Sequence, residues 1–399
     1  MKIALFHNYY QVPGGEDQMF ELEIRALRAQ GHEVFPFVVR NEDVFPEANT
    51  LQRAKLAWES AHNPQSYKAV IEFLRTHEVD IGHVHNWFPL LSPAVYTAHK
   101  ALGIPVVQTL HNYRLGCANG SFRRNGETCR DCLTGSRNSA VIHRCYKGSL
   151  GGSLAWKRLI DKGWAKRIFT EFVDAYIAPS QEVVDAHIEM GLPKEKIHLI
   201  PNACEDLLND KSFSQPQHKD GALFLGRLSA EKGVDTLINA WRWAPAPLKI
   251  AGSGPDAEAL KKTATPNERI QFLGHIDRKE IKHQLEKSAF LVFPSKWSEP
   301  FGLGIIEAMA AGRPVIASNI GAPSQIITHG VNGLLVPPGD VDALQHAIKT
   351  MLYDPERLSR MAQAARDTYE QCYGPKAHAQ ALETLYQTQT SLVEIERQY

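Results

Sequence analysis

Two carboxylates with seven residues between them, Glu299 and Glu307, frame the segment Glu299-Pro300-Phe301-Gly302-Leu303-Gly304-Ile305-Ile306-Glu307. An apolar run, Ala289–Ser295, precedes it, and the pattern predicts a helix ending at Gly312 with Glu307 about two turns inside. A glycine-rich helix start leaves backbone N–H groups without intrahelical partners. Bare donors beside two acceptors suit a polyhydroxylated phosphate ester, whose oxyanions take the N–H groups and whose hydroxyls take the carboxylates. Sugar nucleotides are such ligands. A second group agrees. Arg227 and Lys232, in Gly226-Arg227-Leu228-Ser229-Ala230-Glu231-Lys232-Gly233, follow the run Ala222–Leu225 and bring a fork and a point charge to a strand-end crevice. Their task would be to take up charge growing on a departing diphosphate. Gly14 and Gly15 follow the first apolar run, where a backbone can approach a phosphate without a Cβ in the way.

The spacing from Glu299 to Glu307 resembles the donor-site motif of retaining GT-B glycosyltransferases of family 4. Gly226–Gly233 is similar to that family's strand-end Arg and helix-start Lys, and Pro13-Gly14-Gly15-Glu16 to its glycine loop. His111, in Thr109-Leu110-His111-Asn112, matches its N-domain histidine. The resemblance runs from Lys2 to about Tyr386. It implies that Glu307 accepts from the nucleotide ribose and Glu299 from donor-sugar hydroxyls, while Phe301, Gly302 and Leu303 supply backbone N–H groups. His111 would orient the sugar near its anomeric carbon. His275 and Ile276 would read the base through backbone groups. His83 and His85 read as structural.

These residues need a scaffold. At 399 residues the chain exceeds one ordinary core and predicts two domains. Apolar runs alternating with helical stretches predict parallel α/β layers. First-half strands are expected at Ile3–His7, Glu33–Val39, Ile81–His85, Val106–His111, Ala175–Pro179 and Lys196–Pro201. Those of the second half are Ala222–Gly226, Leu248–Ala251, Ile270–Leu273, Phe290–Phe293, Val315–Ala317 and Gly333–Val336. The expected organisation is an N-terminal Rossmann-like domain over 1–208, a polar linker over 209–220, a sugar-nucleotide domain over 221–374 and a helix over 375–399. Two doubly wound domains would face each other across a cleft. The resemblance implies that the last helix crosses back to the N-terminal domain; an ordinary terminal helix is the alternative.

Lys plus Arg equals Asp plus Glu, 44 each, so net charge does not mark a polyanion binder. Between Asn112 and Arg167, however, twelve Lys and Arg face three acids. No apolar run approaches the ~18–20 residues needed to span a bilayer. The start reads as a first strand and not as a signal segment, so the expected location is cytoplasmic, with peripheral contact at the inner face of the membrane as the variant.

An insert over 112–150 holds four of the six cysteines: Cys117, Cys129, Cys132 and Cys145. One Cys-x-x-Cys knuckle with two flanking cysteines can build a tetrahedral thiolate site. Structural zinc is the favoured reading, ahead of disulfides, which a reducing cytoplasm disfavours, and of free thiols. The following helix carries Leu154, Trp156, Leu159, Ile160, Trp164, Ile168 and Phe172 on one stripe and bases on the other. It reads as a core-facing helix with a wet back, or as an interface for anionic lipid.

The function expected is a retaining hexosyl transfer from a nucleotide-diphosphate sugar, UDP or GDP type, to a glycan or polyprenyl-diphosphate-linked acceptor of a bacterial surface polysaccharide. The first domain and the cleft segments lack an Asp-x-Asp motif, so no catalytic metal is expected. A GT-B epimerase or phosphorylase and a catalytically silent sugar-nucleotide scaffold are the alternatives. A zinc-dependent nucleic-acid binder would leave the second-half motifs unexplained, and no nucleic acid is expected as partner.

Overall fold

Each expected apolar run forms a strand, and the strands fall into two parallel six-stranded sheets. The computed structural model describes residues 1–10, 14–44, 58–208, 214–265 and 267–398. Pro13 of the glycine loop and residues 209–213 of the expected linker lie outside them. The first sheet takes β1 (Lys2–Tyr9), β2 (Glu33–Arg40), β3 (Ile81–Asn86), β4 (Val106–Thr109), β7 (Ala175–Ala178) and β8 (Ile197–Leu199) in the order β2-β1-β3-β4-β7-β8. The second takes β9 (Ala222–Leu225), β10 (Leu248–Ala251), β11 (Ile270–Gly274), β12 (Phe290–Phe293), β13 (Val315–Ser318) and β14 (Gly333–Val336) in the order β11-β10-β9-β12-β13-β14. A minor antiparallel pair, β5 (Arg123–Arg124) and β6 (Glu127–Thr128), stands in the cysteine insert. Chain order reverses between β1 and β3 in one sheet and between β9 and β12 in the other. Doubly wound sheets bind ligands outside the strand carboxyl ends at such switch points.

The chain divides into two units, Met1–Pro201 with His378–Tyr399, and Asn202–Ala377. The terminal part of the last helix, Pro375–Gln398, therefore belongs with the N-terminal sheet. The first crossing comes at Pro201/Asn202 and not in the polar stretch 209–220, whose described part belongs to the second unit. The chemistry of that stretch identifies a surface segment, which need not be a boundary.

In the second unit, the apolar helix Leu303–Ala310 buries Ile305, Ile306, Ala308 and Met309 against Leu223, Leu291, Phe293 and Ala317. Arg366 fastens its far end by donating to the Ala310 carbonyl, and pairs bidentately with Asp206 at 2.7 Å to each oxygen. In the first unit the helix Leu150–Ala165 ends before a wide turn, Ile168–Phe172, so the stripe expected on one helix spans two elements. Trp156, Leu159, Ile160 and Ile168 are buried, whereas Leu154 is exposed. The indoles of Trp156 and Trp164 donate to the carbonyls of Arg114 and Leu115 at 3.0 and 3.1 Å. Both tryptophans thus brace the loop that follows β4. Among the described residues, no helix is long and apolar enough to cross a membrane.

Candidate functional site

The residues of the second unit expected at the donor site stand at the carboxyl ends of neighbouring strands. After β9 the chain makes a tight turn, Ala230–Lys232, before the helix Val234–Ala240; Lys232 ends that turn instead of beginning the helix. Gly233 closes it at φ +68°, and a Cβ there would stand 1.9 Å from the Pro294 carbonyl oxygen. Only glycine allows the β9 and β12 loops to approach so closely. The Lys296 N–H donates to the Glu231 carbonyl at 2.7 Å and locks them together.

That approach sets Lys232 on Glu299. The Lys232 ammonium donates to Glu299 Oε1 at 2.5 Å, and the Ser295 hydroxyl donates to the same oxygen at 3.0 Å. Glu299 is only 6% exposed. Its Oε2 has no protein partner among the described residues, so one lone-pair edge is spoken for and the other is left for a hydroxyl donor. Lys232 also lies 5.7 Å from the ring centre of Phe293 and 5.8 Å from that of Trp297. Arg227 is exposed in the loop after β9.

Gly302 turns the chain at φ +106°, and the helix begins at Leu303. Glu307 therefore stands little more than one turn inside it, not two. Of the three N–H groups expected as donors, that of Leu303 opens the helix, whereas Phe301 and Gly302 precede it. Phe301 is buried against Tyr373, which anchors the loop. Glu307 is half-buried; burial pushes its carboxyl up, and Arg278 pulls it back. Ile276, after β11, packs in the same apolar cluster as Leu303, while His275 is exposed.

In the first unit, β4 stops at Thr109, so His111 lies in the loop beyond the strand and not at its end. The glycine loop differs from expectation in one respect. The Gly14 N–H is taken by Asp17 Oδ2 at 2.8 Å, and Asp17 Oδ1 holds His7 Nε2 at 2.7 Å. Gly15 begins the helix Gly15–Ala29, and a Cβ on Gly14 would meet no atom within 4 Å, which leaves open space above it. Three neighbours of His111 escaped sequence reasoning. Glu16 accepts from Asn112 Nδ2 at 3.4 Å, and burial lifts its carboxyl to about 7 against the pull of Arg114. His85 Nδ1 lies 3.1 Å from His111 Nε2, with the rings stacked. Glu23 Oε2 lies 3.0 Å from His85 Nε2. The alternation of His83 and His85 was the available signal, since residues two apart on a strand share a face.

All six cysteines are free thiols. Cys117, Cys129, Cys132 and Cys145 converge on the β5–β6 hairpin and the turns flanking it. Burial first, then charge on Cys117, pushes the Cys132 thiol up to about 11, and the same two causes raise Cys145. Among the described residues, the trio of candidate ligands whose atoms all lie within 4.8 Å of one another is Glu23, His83 and His85. The four sulfurs share a locality without being drawn to that spacing.

Comparison with known proteins agrees with both halves. The family model for glycosyl transferases group 1 matches residues 208–368, and that for Glycosyltransferase Family 4 matches residues 13–206. The chain is 27% identical over 301 residues to glycogen synthase of Mycobacterium tuberculosis, covering 73% of this chain but only 64% of that relative. It is 35% identical over 300 residues to the uncharacterized glycosyltransferase MJ1607 of Methanocaldococcus jannaschii, covering 73% of this chain and 71% of the relative. Anabaena HepE, solved in complex with UDP and glucose, superposes with a TM-score of 0.69 at 20% identity, covering 97% of this chain and all of the other. With two Rossmann-like units matched over nearly their whole length, the chain belongs to the family 4 glycosyltransferases of GT-B fold.

Proposed function

We propose that the protein transfers a hexosyl group, with retention, from a UDP- or GDP-type sugar to a hydroxyl of a glycan or polyprenyl-diphosphate-linked acceptor in bacterial surface polysaccharide synthesis. The observation that carries this reading is the half-occupied Glu299 carboxylate: Oε1 held by Lys232 and Ser295, Oε2 open, at the mouth of a helix N-terminus. In the reaction, the bond from the anomeric carbon to the diphosphate breaks while the acceptor oxygen bonds to that carbon on the same face. The departing phosphate oxygen takes the acceptor proton. Arg227, Lys232 and the N–H groups of Phe301, Gly302 and Leu303 stabilise the charge left on the diphosphate. These groups supply that stabilisation from the chain itself, which supports catalysis without a divalent ion. A cytoplasmic protein meeting an anionic membrane surface fits the exposed Ile142, Leu150 and Leu154 among the bases of the insert.

A thermal-shift screen against UDP, GDP, ADP and their sugars tests donor binding, because a ligand of the native state raises its stability by mass action. Glu307→Gln should weaken binding of the free nucleoside diphosphate that scores best. Glu299→Gln should leave that affinity nearly intact and lower turnover of the sugar nucleotide. Unchanged nucleotide affinity in Glu307→Gln would remove the ribose role, and no shift with any nucleotide would remove the donor site.

The insert is proposed to hold one structural zinc ion. Four free thiols from one short segment are the donor set that zinc takes, and binding would draw the sulfurs to about 2.3 Å from the metal. Purified protein should carry about one equivalent of zinc, and Cys132→Ser should lose it. Acceptor transfer should fall in that variant, since the insert adjoins the loop bearing His111, while nucleotide binding by the second unit persists. Metal-free reduced protein on elemental analysis would end the zinc reading. Intact transfer by Cys132→Ser would end the acceptor-side role.

A further inference from the structure

A chain of buried hydrogen bonds runs from the C-terminal helix to His111. His378 Nδ1 lies 2.8 Å from the Pro201 carbonyl, which can only accept, so that nitrogen donates. Its Nε2 lies 3.0 Å from Glu23 Oε1. The other carboxylate oxygen, Glu23 Oε2, faces His85 Nε2 at 3.0 Å, and His85 Nδ1 faces His111 Nε2 at 3.1 Å. Glu23 is 1% exposed and His85 3%. The flanking His83 is fully paired: the Tyr386 hydroxyl stands 2.7 Å from Nδ1, and Nε2 stands 2.7 Å from Thr109 Oγ1. Although Glu23, His83 and His85 are close enough to share a cation, every one of these nitrogens already has a hydrogen-bond partner. The cluster is a proton-ordered network.

The order of protons follows from what each atom can do. The three histidines hold the Glu23 carboxyl well below its usual range against the cost of burial, so it is ionised and accepts on both oxygens; His378, already donating Nδ1–H to Pro201, then carries a second proton on Nε2, and its charge matches that of the carboxylate and leaves His85 neutral. His85 must then give its Nε2 proton to Glu23, and in the neutral ring Nδ1 is a lone pair. Burial holds the His111 imidazole neutral. Its single proton is on Nε2, pointed at His85, and its Nδ1 is a lone pair with no protein partner among the described residues.

We propose that Glu23, acting through His85, sets the tautomer of His111, so that His111 offers its ligand an acceptor and recognises a hydroxyl group through Nδ1. His378, carried in by the C-terminal helix, holds Glu23 in place. Glu23 and His85 are positioning residues, and the inference rests on the reading that His111 touches the donor sugar.

Imidazole 15N spectra of the full-length protein test it without needing turnover. Wild type should show His111 as the Nε2–H tautomer, with a 15N–15N coupling across the hydrogen bond to His85 Nδ1. Glu23→Leu should release the chain. With no acceptor left on His85 Nε2, the His85 proton is free to sit on Nδ1, and the His111 Nε2–H signature and its coupling to His85 should weaken or disappear. An unchanged His111 tautomer and coupling in Glu23→Leu, or Nδ1–H in wild type, would overturn the proposal; if the variant does not fold, the wild-type coupling alone decides. Release of UDP from UDP-glucose separates the two readings. An altered tautomer with several-fold slower release supports both, whereas an altered tautomer with unchanged release keeps the relay and removes His111 from the donor site.

Discussion

Lys232→Ala should lower turnover about 10²–10³-fold, the loss of ~3–4 kcal/mol expected when one charged contact to a developing oxyanion is removed. The structure adds a second consequence. Lys232 is the cation on Glu299, and its loss leaves a carboxylate that is 6% exposed with Ser295 as its remaining partner on Oε1. A buried acceptor stripped of its charged donor costs about 1–3 kcal/mol. The single variant should therefore lose stability as well as activity. The two effects separate in Lys232→Ala/Glu299→Gln, where neutralising the carboxylate restores most of the stability and none of the turnover. Rates with the best-binding sugar nucleotide and urea midpoints of the three variants check this. Near-wild-type turnover in Lys232→Ala would remove the leaving-group role, and recovery of turnover in the double variant would make the loss a matter of folding.

The first unit should be acid-labile well above the range in which carboxylates titrate. His99 and His187 each donate Nδ1–H to a carbonyl one helical turn back, at 2.8 Å, and bury an Nε2 that has no partner among the described residues. Gly82 makes room for the first of these rings, since a Cβ there would lie 2.0 Å from His99 Nε2. Burial lowers both rings to about 4. A base whose folded pKa is depressed takes up protons in the unfolded chain first, so stability is lost as pH falls below the unfolded value of about 6.5. The loss continues until the folded pKa is reached. Between pH 7 and 5 each ring should cost ~2 kcal/mol, and the pair ~4 kcal/mol. Glu23, depressed in its turn, adds its loss only below the unfolded carboxylate range, whereas His83, lowered by burial to about 3, and the buried His111 add to the loss in this window. Urea unfolding at pH 7, 6 and 5 measures the slope, and His187→Leu should flatten it. A midpoint that does not move between pH 7 and 5 would refute the assignment.

The strands and the donor helix were legible because their determinants are local. Alternating runs mark buried parallel strands, and Glu299, Gly302 and Glu307 lie within nine residues, so one loop and one helix carry their spacing into space. The four cysteines of the insert were recognisable as a set for the same reason, though only the fold shows their sulfurs standing apart. Small errors came from element ends: the late start at Leu303, the early end of β4 at Thr109 and the tight turn before Val234 all depend on caps and loop contacts that periodicity does not encode.

Sequence alone determined the two doubly wound sheets, the glycine-bracketed Arg227 and Lys232, and the carboxylate pair, because each is specified by neighbours along the chain. Only the tertiary structure decided that Lys232 donates to the Oε1 of Glu299, 67 residues further on, and that Glu23 meets His85 and, 355 residues later, His378. Those meetings depend on strand order, on parallel register such as Val84 against Gln108, and on where the last helix lands. A buried carboxylate and a buried histidine are costly alone and stable together, so their pairing is a property of the packed interior.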